Sequence, residues 1–422
     1  MSEADTWPAE IETDYKRVSP LGSGSFGTVW MVKKKHDNAA SGDDEYFAIK
    51  GIDTSKPNSR TYADREINIL SKLHHPNIIK IIRVYDPTPS KCLFAVMTLA
   101  RGPSLGTLIE LGGCLSIPLA QLLARTLIAA VSYLHGRAVI HRDIKPDNCI
   151  LVMDAKSKGH YSPEDSNQGN DSIWSRGQDA KKAIDEGKWK IVLVDFGLAR
   201  ALTPNEVNDE SKKTNPVVNS SSVKDKEIEA PASQKLSNRT RKRGSFARML
   251  VRGMSAVGSR YYAAPEVERK VRKKEETDKK IGAEALTDCV ADYGMISDAY
   301  SIGVTLREAL TGVPPNAAVA KYIDENYSPV YNFFSSLLFD SSQNRCREFR
   351  YLSEVPKDAA ELIGKMTKPN VNERLSVREA RMHPWIRGAD GEEKYVLPKG
   401  DYPSRHGDPI VYLEGNMNPM EP

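Results

Sequence analysis

Side chains of three different chemistries occur together in HRDIKPDN, which runs from His141 to Asn148. The Asp143 carboxylate can accept a proton, the Lys145 ammonium can pair with a phosphate, and the Asn148 carboxamide can ligate a metal ion. A segment with helical periodicity precedes this stretch and the apolar run CILV follows it, which places it on a loop between a helix and a strand. The stretch therefore offers a proton acceptor, a phosphate partner and a metal ligand on one loop.

A second carboxylate follows a β-rich run in VLVDFGLAR, where Asp195 comes shortly before Gly197. A glycine permits a sharp turn at the end of the strand, and carboxylate oxygens are ligands that Mg²⁺ prefers. We therefore expect Asp195 to reach a Mg²⁺ ion that bridges nucleotide phosphates. Taken alone, this stretch is explained equally well as a plain strand and turn.

Three glycines, Gly22, Gly24 and Gly27, form GSGSFG between two segments with strand character. A hairpin backbone without side chains can lie against phosphates and point its N–H groups at them. The strand predicted at Thr28 to Val32 disfavours a dinucleotide fingerprint, which needs a helix directly after the glycines. Glycine-rich hairpins without a ligand are common, so this stretch alone is a weak signal.

Lys50 lies in FAIK, a short strand whose apolar neighbours would bury the lysine stem. Glu66 lies on an amphipathic helix predicted at 60–73, where it can pair with the Lys50 ammonium and hold it for anionic oxygens. For either residue taken alone, a surface lysine or a solvated helix glutamate is the more common explanation. The pair gains meaning only together with the other motifs.

The residues that carry this chemistry are divided between two differently built parts of the chain. Residues 15–100 are predicted to be mainly β-structure with one helix, and the later residues mainly helical. Polar insertions interrupt the second part at about 153–188, 201–257 and 268–288. The first two contain few aromatic or β-branched residues and are expected to be loops with little core, whereas the charged third is compatible with a helix.

In this order, the motifs resemble those of the eukaryotic protein kinase family. The resemblance continues in four short stretches of the second part, which are AAPE (Ala263–Glu266), SDAYSIG (Ser297–Gly303), NERLS (Asn372–Ser376) and HPWI (His383–Ile386). It implies an α+β, two-lobed fold. The small lobe would hold an antiparallel sheet with one key helix, and the large lobe would be mainly helical.

The resemblance covers residues 15–386 and implies a single kinase domain, although 422 residues would allow two or three domains. We expect the small lobe at 15–100 and the large lobe, with the three insertions, at 101–386. Residues 1–14 would then form an N-terminal extension and residues 387–422 a C-terminal tail.

The resemblance also implies roles for individual residues. The catalytic set comprises Asp143, Lys145, Asn148, Lys50 and Glu66. The residues expected to contact ATP are Leu21, Gly22, Gly24, Gly27, Val29, Ala48, Lys50, Met97, Ala100, Ile150 and Asp195. Asp143 would orient the substrate hydroxyl and accept its proton, while Asn148 and Asp195 would hold Mg²⁺. ATP and Mg²⁺ are thus the expected cosubstrate and cofactor.

Three further residues are expected to support the site rather than to act in it. Glu266 would form an ion pair with Arg374, and Asp298 would anchor the loop that carries His141 and Arg142. These roles again follow from the resemblance alone.

The pattern of the resemblance indicates a Ser/Thr kinase acting on protein substrates. Lys145 follows Asp143 by two residues and Ser259 precedes Glu266 by seven, an arrangement that tyrosine kinases lack. The subgroup is mixed, because GSRYYAAPE is similar to CMGC-type kinases although Ala263 stands where those have arginine. HPWI is closer to the calmodulin-dependent kinase group.

The net charge of +4 is not spread evenly, since residues 231–257 carry seven basic and no acidic side chains. This stretch contains two candidate regulatory phosphosites, Ser255, eleven residues before Glu266, and Ser245 in RKRGSF. Phosphate at Ser255 would neutralise Arg142, and an upstream basophilic kinase would be the modifying enzyme. A basic, Ser-rich loop offers such matches by chance as well.

Two other function classes were weighed. A pseudokinase scaffold that binds ATP without efficient transfer would be favoured by loss of Lys50, Asp143, Asn148 or Asp195, and all four are present. A nucleic-acid-binding protein is disfavoured because the basic cluster RTRKR, at 239–243, has no interleaved aromatic residues.

Composition limits the setting in which the protein works. The acidic start MSEADTWPAE lacks a signal-peptide core, and the apolar run from Leu119 to Leu134 is interrupted by polar side chains, so no membrane segment is expected. Five scattered cysteines suggest neither disulfides nor zinc. We expect a cytoplasmic monomer, and RTRKR leaves nuclear import open.

Overall fold

The small lobe is built on a five-stranded antiparallel sheet with the strand order β1-β2-β3-β5-β4. The computed structural model describes residues 7–24, 27–35, 45–55, 59–87, 91–153, 177–203, 250–255, 259–268, 290–315 and 350–387. The strands are β1 (Tyr15–Gly24), β2 (Gly27–Lys34), β3 (Tyr46–Asp53), β4 (Ile81–Tyr85) and β5 (Cys92–Thr98). Helix α1 (Ala9–Asp14) precedes β1, and helix α2 (Ser59–Ser71) connects β3 to β4. The predicted small lobe of strands with one key helix is confirmed, with α1 as an addition.

Apolar side chains pack against both faces of this sheet, since successive side chains of a strand point to opposite faces. An outer cluster contains Trp7, Ile11, Tyr15, Val32, Ile49, Phe94 and Val96. Trp7 and Ile11, which precede β1, therefore belong to the packed core of the small lobe. On β3 the neighbours of Ile49, Ala48 and Lys50, lie on the opposite face, which is the face that α2 covers.

Helix α2 presents one side to the sheet, with Ala63, Glu66, Ile69 and Leu70 buried. Three of these residues are apolar, and their spacing is that of a single helical face. Glu66 is the charged member of this face and is only 5% exposed. The packing of α2 thus carries a carboxylate into the interior beside β3.

The large lobe is organised around helix α4 (Ile117–His135), of whose 19 residues 14 are buried. Within the described residues it is the one helix long and apolar enough to cross a membrane, and its burial is that of a core helix. The polar Gln121 and Arg125 donate to the carbonyl oxygens of Trp385 and Ile386, at 2.7 and 2.9 Å. These polar interruptions of the apolar run therefore dock the end of the domain.

The remaining elements surround α4. The helices are α3 (Leu105–Gly112), α5 (Gly177–Asp185), α6 (Met295–Thr311), α7 (Lys357–Met366), α8 (Val377–Ala380) and α9 (Pro384–Arg387). The strands are β6 (Val139–Ile140), β7 (Cys149–Met153), β8 (Trp189–Leu193), β9 (Arg200–Ala201), β10 (Leu250–Ser255) and β11 (Val290–Gly294). Gly303 lets α6 approach α7 closely, since a Cβ there would lie 2.7 Å from the Thr367 side chain.

Short antiparallel pairs place the loops that carry the chemistry. Strand β7 pairs with β8 and β6 pairs with β9. The stretch HRDIKPDN lies between β6 and β7, and the Asp195 turn lies between β8 and β9. The two pairs therefore bring the two loops to the same end of the lobe.

The prediction that the first two insertions are loops was wrong at their ends. Helix α5 occupies the end of the first, where Ala183 and Ile184 pack against the core and Lys181 pairs with Asp185 at 2.6 Å. In the second, β10 pairs with β11 in an antiparallel ladder. At the end of the first insertion two apolar residues suffice to extend the core, which overall composition does not reveal. Residues 154–176 and 204–249 lie outside the described residues.

Candidate active site

Lys50 and Glu66 form a buried ion pair at the centre of the small lobe. The Lys50 ammonium lies 2.7 and 2.9 Å from the two oxygens of Glu66 and 3.6 Å from Asp195 Oδ1. Burial disfavours the ammonium, but the two carboxylates outweigh this effect and raise the pKa of Lys50 above its ordinary value. Strand β3, helix α2 and the Asp195 turn therefore meet at these three charged side chains. The contact between Lys50 and Glu66 is the one that the sequence predicts.

The loop between β6 and β7 concentrates its polar side chains around Asp143. Asn148 Nδ2 donates to the Asp143 carbonyl oxygen at 2.7 Å and to Oδ2 at 3.1 Å. Lys145 Nζ lies 3.3 Å from the same Oδ2, and the Ser259 amide donates to Oδ1 at 2.9 Å. Both carboxylate oxygens are therefore held, and the orientation of Asp143 is fixed from two sides.

These contacts keep Asp143 ionised. Burial alone would raise the pKa of Asp143, but the Lys145 charge and the hydrogen bonds from Ser259 outweigh burial and hold the pKa below its ordinary range. An ionised, oriented carboxylate is suited to hold a hydroxyl by its proton. As a base it is weak, so alignment of the hydroxyl is its main contribution.

Asp298, at the start of α6, holds the backbone of the loop between β6 and β7. Its carboxylate accepts hydrogen bonds from the amides of His141 and Arg142, at 2.9 and 3.0 Å, and lies 2.9 Å from His135 Nε2. Burial opposes the charge, yet His135 and the two amides lower the pKa of Asp298. Arg142 adopts a positive φ of 70°, a costly conformation for a non-glycine residue, and the Asp298 contacts hold it there.

The Asp195 turn has a similar backbone feature. Asp195 has a positive φ of 60°, and its Oδ1 accepts a hydrogen bond from the Gly197 amide at 3.2 Å. The next residue, Phe196, is fully buried and packs edge-on against His141, with ring centroids 4.7 Å apart. The turn is thus attached to the loop of Asp143 while the Asp195 side chain stays 43% exposed.

The donor set fits a Mg²⁺ ion between Asn148 and Asp195. The β7–β8 ladder pairs Cys149 with Leu193, and the Val194 amide donates to the Asn148 carbonyl at 2.9 Å. The two oxygen-bearing side chains therefore project from adjacent backbone positions. Asn148 uses its amide nitrogen within the protein, which leaves its side-chain oxygen for a metal, and Mg²⁺ prefers such oxygen ligands.

The glycine-rich hairpin forms the turn between β1 and β2. Gly24 pairs with Gly27 and Gly22 with Val29 in this ladder, and residues 25–26 lie outside the described residues. Gly27 has a φ of 137°, and a Cβ there would lie 1.7 Å from the Gly51 carbonyl oxygen. Gly27 is thus required by the close approach of β3 as well as by any phosphate.

The residues expected around the adenine come from both lobes. Ala48 and Met97 are direct partners in the β3–β5 ladder and are both buried. Val29 lies opposite Lys50 on β2 and is partly buried, as are Ala100 and Ile150. Leu21 is 47% exposed on the hairpin. An exposed leucine beside a cleft is available to contact a ligand.

Glu266 and Arg374 form the predicted ion pair in the large lobe. The guanidinium of Arg374 is fully buried and contacts both Glu266 oxygens, at 2.7 and 2.9 Å. Its other hydrogens are donated to the carbonyl oxygens of Lys368, Ile296 and Pro369. This pair ties AAPE to the end of the domain.

A model of the protein kinase domain matches residues 15–228 and 236–386. The chain belongs to the protein kinase family. Its resemblance to that family and its two-lobed fold are thereby confirmed.

Curated relatives of this kinase are similar at low identity. It is 26% identical over 373 residues to the probable serine/threonine protein kinase IREH1 of Arabidopsis thaliana, which covers 87% of this chain but 22% of that protein. It is 25% identical to myosin light chain kinase A of Dictyostelium discoideum, over 90% of each chain. It is also 24% identical to calcium/calmodulin-dependent protein kinase type 1 of Macrobrachium nipponense, over 90% of this chain and 76% of the relative. The CMGC-like part of the predicted subgroup stays a prediction.

Sequence reasoning missed one buried polar pair of the kinase. The Tyr262 hydroxyl donates to Glu308 Oε2 at 2.5 Å, and the Tyr262 carbonyl accepts from Ser301 at 2.9 Å. Burial raises the pKa of Glu308 to about 7, with the Asp147 carboxylate adding to the effect and the Tyr262 hydrogen bond partly offsetting it. The available signal was the glutamate in VTLREALT, where Glu308 is flanked by the apolar residues of α6.

The two candidate phosphosites are placed differently. Ser255 ends β10, where its backbone pairs with Val290 of β11. Ser245 lies outside the described residues. Arg142 is the residue expected to bind the phosphate of Ser255. Its Nε donates to the Leu198 carbonyl oxygen at 2.7 Å.

Proposed function

We propose that this kinase is an active enzyme that transfers the γ-phosphoryl group of ATP to serine and threonine hydroxyls of proteins. The observation that carries the proposal is the held carboxylate of Asp143, with Lys145, Asn148 and Ser259 arranged around it. The Lys50 ammonium, which is held in place by Glu66, supplies a second positive charge for phosphate oxygens.

The chain's own residues account for the main requirements of the reaction. Asp143 would orient the incoming hydroxyl and receive its proton as the new O–P bond forms. Lys145 would offset charge on the transferring phosphoryl group, and Lys50 would hold the inner phosphates. Asn148 and Asp195 would hold Mg²⁺, which supplies charge neutralisation to the phosphates when it is bound.

Specificity for serine and threonine is supported by the contact between Lys145 and Ser259. The ammonium donates to the Ser259 hydroxyl at 2.8 Å, and Ser259 also binds Asp143 through its amide. The segment before AAPE is thereby attached to the catalytic loop. A serine or threonine hydroxyl must come close to Asp143 to react. The contacts of Ser259 with Lys145 and Asp143 restrict the space through which a substrate side chain can reach Asp143.

Regulation is proposed to act through the basic segment at 231–257. A phosphate at Ser255 would carry about −1.5 to −2 charge and offer Arg142 a stronger partner than a carbonyl oxygen. The proposal is supported by the sequence around Ser255, where Arg252 precedes the serine by three residues. The modifying enzyme would be an upstream kinase that recognises basic sequences.

The proposal is tested by incubating the full chain with Mg-ATP, and separately Mn-ATP, and an array of serine, threonine and tyrosine peptides. Nucleotide binding is measured in parallel by the ATP-dependent shift in melting temperature. Phosphate incorporation into serine and threonine peptides is expected. Nucleotide binding without any product would overturn the proposal in favour of an ATP-binding scaffold.

A further inference from the structure

Arg60, in the first turn of α2, binds two carboxylates with all three of its guanidinium nitrogens. Nε lies 2.9 and 3.1 Å from the oxygens of Asp64, on the same helix. Nη1 and Nη2 lie 3.1 and 2.5 Å from the two oxygens of Asp86. The contact with Asp86 is a parallel, two-point pair, the most directional form of ion pair.

This pair joins the helix to the edge of the sheet. Asp86 follows the last residue of β4, which is an edge strand, and Arg60 lies six residues before Glu66 on α2. Besides the Lys50–Glu66 ion pair, the buried face of α2 is held by apolar contacts of residues such as Ala63, Ile69 and Leu70. Apolar burial is not directional, so it resists separation of the helix better than sliding or rotation.

The end of β4 is itself fixed on its other side. The Tyr85 hydroxyl donates to Asp14 Oδ2 at 2.6 Å, and Arg83 Nη1 lies 3.1 Å from the same oxygen. Asp14 closes helix α1, whose Ile11 is fully buried against the outer face of the sheet. Asp86 is therefore attached to a packed strand end and can serve as an anchor.

We propose that Arg60 is a positioning residue that, through Asp86, keeps helix α2 where Glu66 reaches Lys50. The inference rests on the proposed function for its kinetic consequences and on geometry alone for its structural ones. The side chains of Arg60 and Asp86 are 48% and 45% exposed, so their attraction is screened by salt. The effect of removing Arg60 is accordingly modest and salt-dependent.

The test compares Arg60→Ala, Asp86→Ala and the double variant in the full chain. Each single variant is expected to lower kcat/KM by about two- to fivefold, and the double variant by no more than Arg60→Ala alone, because the contact between Arg60 and Asp86 is lost in all three variants and Arg60→Ala also removes the contact with Asp64. In a Glu66→Gln background, Arg60→Ala is expected to cause no further loss. At 0.5 M NaCl the difference from the wild type is expected to shrink.

Arg65→Ala is the matched control, since Arg65 lies on the same helix and its guanidinium faces the Tyr62 ring. Hydrogen exchange of α2 amides gives a second measurement that needs no catalysis. It is expected to rise in Arg60→Ala and to stay unchanged in Arg65→Ala, with α4 amides unchanged in both.

Additive losses in the double variant, or an undiminished loss in the Glu66→Gln background, would overturn the proposal. If the wild type transfers no phosphate, the proposed function fails, and α2 exchange alone then decides this inference. Unchanged exchange in Arg60→Ala would refute it.

Discussion

Two ion pairs with a buried cation can be compared among the described residues, Lys50–Glu66 in the small lobe and Arg374–Glu266 in the large lobe. Both pairs have two contacts between 2.7 and 2.9 Å. They differ in what surrounds the cation. Arg374 is enclosed by three backbone carbonyl oxygens and is fully buried, whereas Lys50 has the 43%-exposed Asp195 at 3.6 Å on its open side.

This difference separates a structural pair from a functional one. A cation whose donors are all used within the protein cannot bind a substrate without breaking contacts that hold the fold together. A cation that faces an exposed carboxylate can change partners when phosphate oxygens or a metal ion arrive. The same interaction thus serves folding in one lobe and chemistry in the other.

The largest effect is expected on breaking the enclosed pair. Arg374→Met leaves the partly buried Glu266 carboxylate without its cation and removes the donor to three carbonyl oxygens. Loss of one partner of a buried ion pair costs about 3–5 kcal/mol of unfolding free energy. Chemical denaturation measures this loss. A cost under about 1 kcal/mol would show that the pair is not structural.

Breaking the open pair should instead affect catalysis. Lys50→Met is expected to lower phosphoryl transfer at least about 100-fold, the size typical of losing one positioned donor to a developing charge. Its cost in unfolding free energy should be smaller than that of Arg374→Met, because Arg374 also donates to three backbone carbonyl oxygens that would lose their donor. Transfer rates and denaturation curves of the two variants are compared directly. Retained transfer in Lys50→Met would contradict the assigned role.

Glu308 is a buried glutamate that, unlike Glu66 and Glu266, has a neutral partner. It accepts a hydrogen bond from the Tyr262 hydroxyl. Its folded pKa of about 7 lies above the ordinary value of 4.5, so the folded state binds more protons between these pH values. The contribution of Glu308 to the unfolding free energy should therefore fall as pH rises from 5 to 8, by about 2 kcal/mol at roughly 1.4 kcal/mol per pKa unit.

The matched variant for this prediction is Glu308→Gln, which removes the titration and keeps a hydrogen-bond acceptor. Denaturation of both proteins at pH 5 and pH 8 isolates the contribution of Glu308. The variant should lose about 2 kcal/mol less than the wild type over this range. Equal pH dependence in the two proteins would show that Glu308 is ionised throughout.

The smallest effect is expected at Ser255, whose phosphate would supply Arg142 with a partner after folding. Ser255→Ala should lower activity several-fold, equivalent to about 1 kcal/mol of transition-state stabilisation. Mass spectrometry of the wild type should find phosphate at Ser255. Unchanged activity of the variant, together with no phosphate on Ser255 of the wild type, would show that Ser255 is not a regulatory site.

The structure brings several residues of the predicted site together, and these residues lie in short local motifs. Asp143, Lys145 and Asn148 share one loop, and their spacing alone places them around a common point. The Lys50–Glu66 contact required only that a strand and an amphipathic helix be recognised, and both have clear periodicity. The two-lobed fold followed from the family resemblance carried by these motifs.

Contacts between distant and individually ordinary residues could not be predicted in this way. Trp7 and Ile11 cover the outer face of the sheet, yet nothing in their spacing indicates a partner. The Arg60–Asp86 pair depends on the placement of a strand end that periodicity gives only to within a few residues. Helix α5 was missed because composition averaged over the whole insertion hides a short apolar segment.

The central claim is that Asp143 makes this chain a phosphoryl-transfer enzyme. It is tested most directly by comparing the wild type with Asp143→Asn for Mg-ATP-dependent phosphorylation of serine and threonine peptides, at matched melting temperature and ATP affinity. The account predicts robust transfer by the wild type and a loss of at least about 100-fold in the variant. Equal transfer by the two proteins, or none by an ATP-bound wild type, would contradict it.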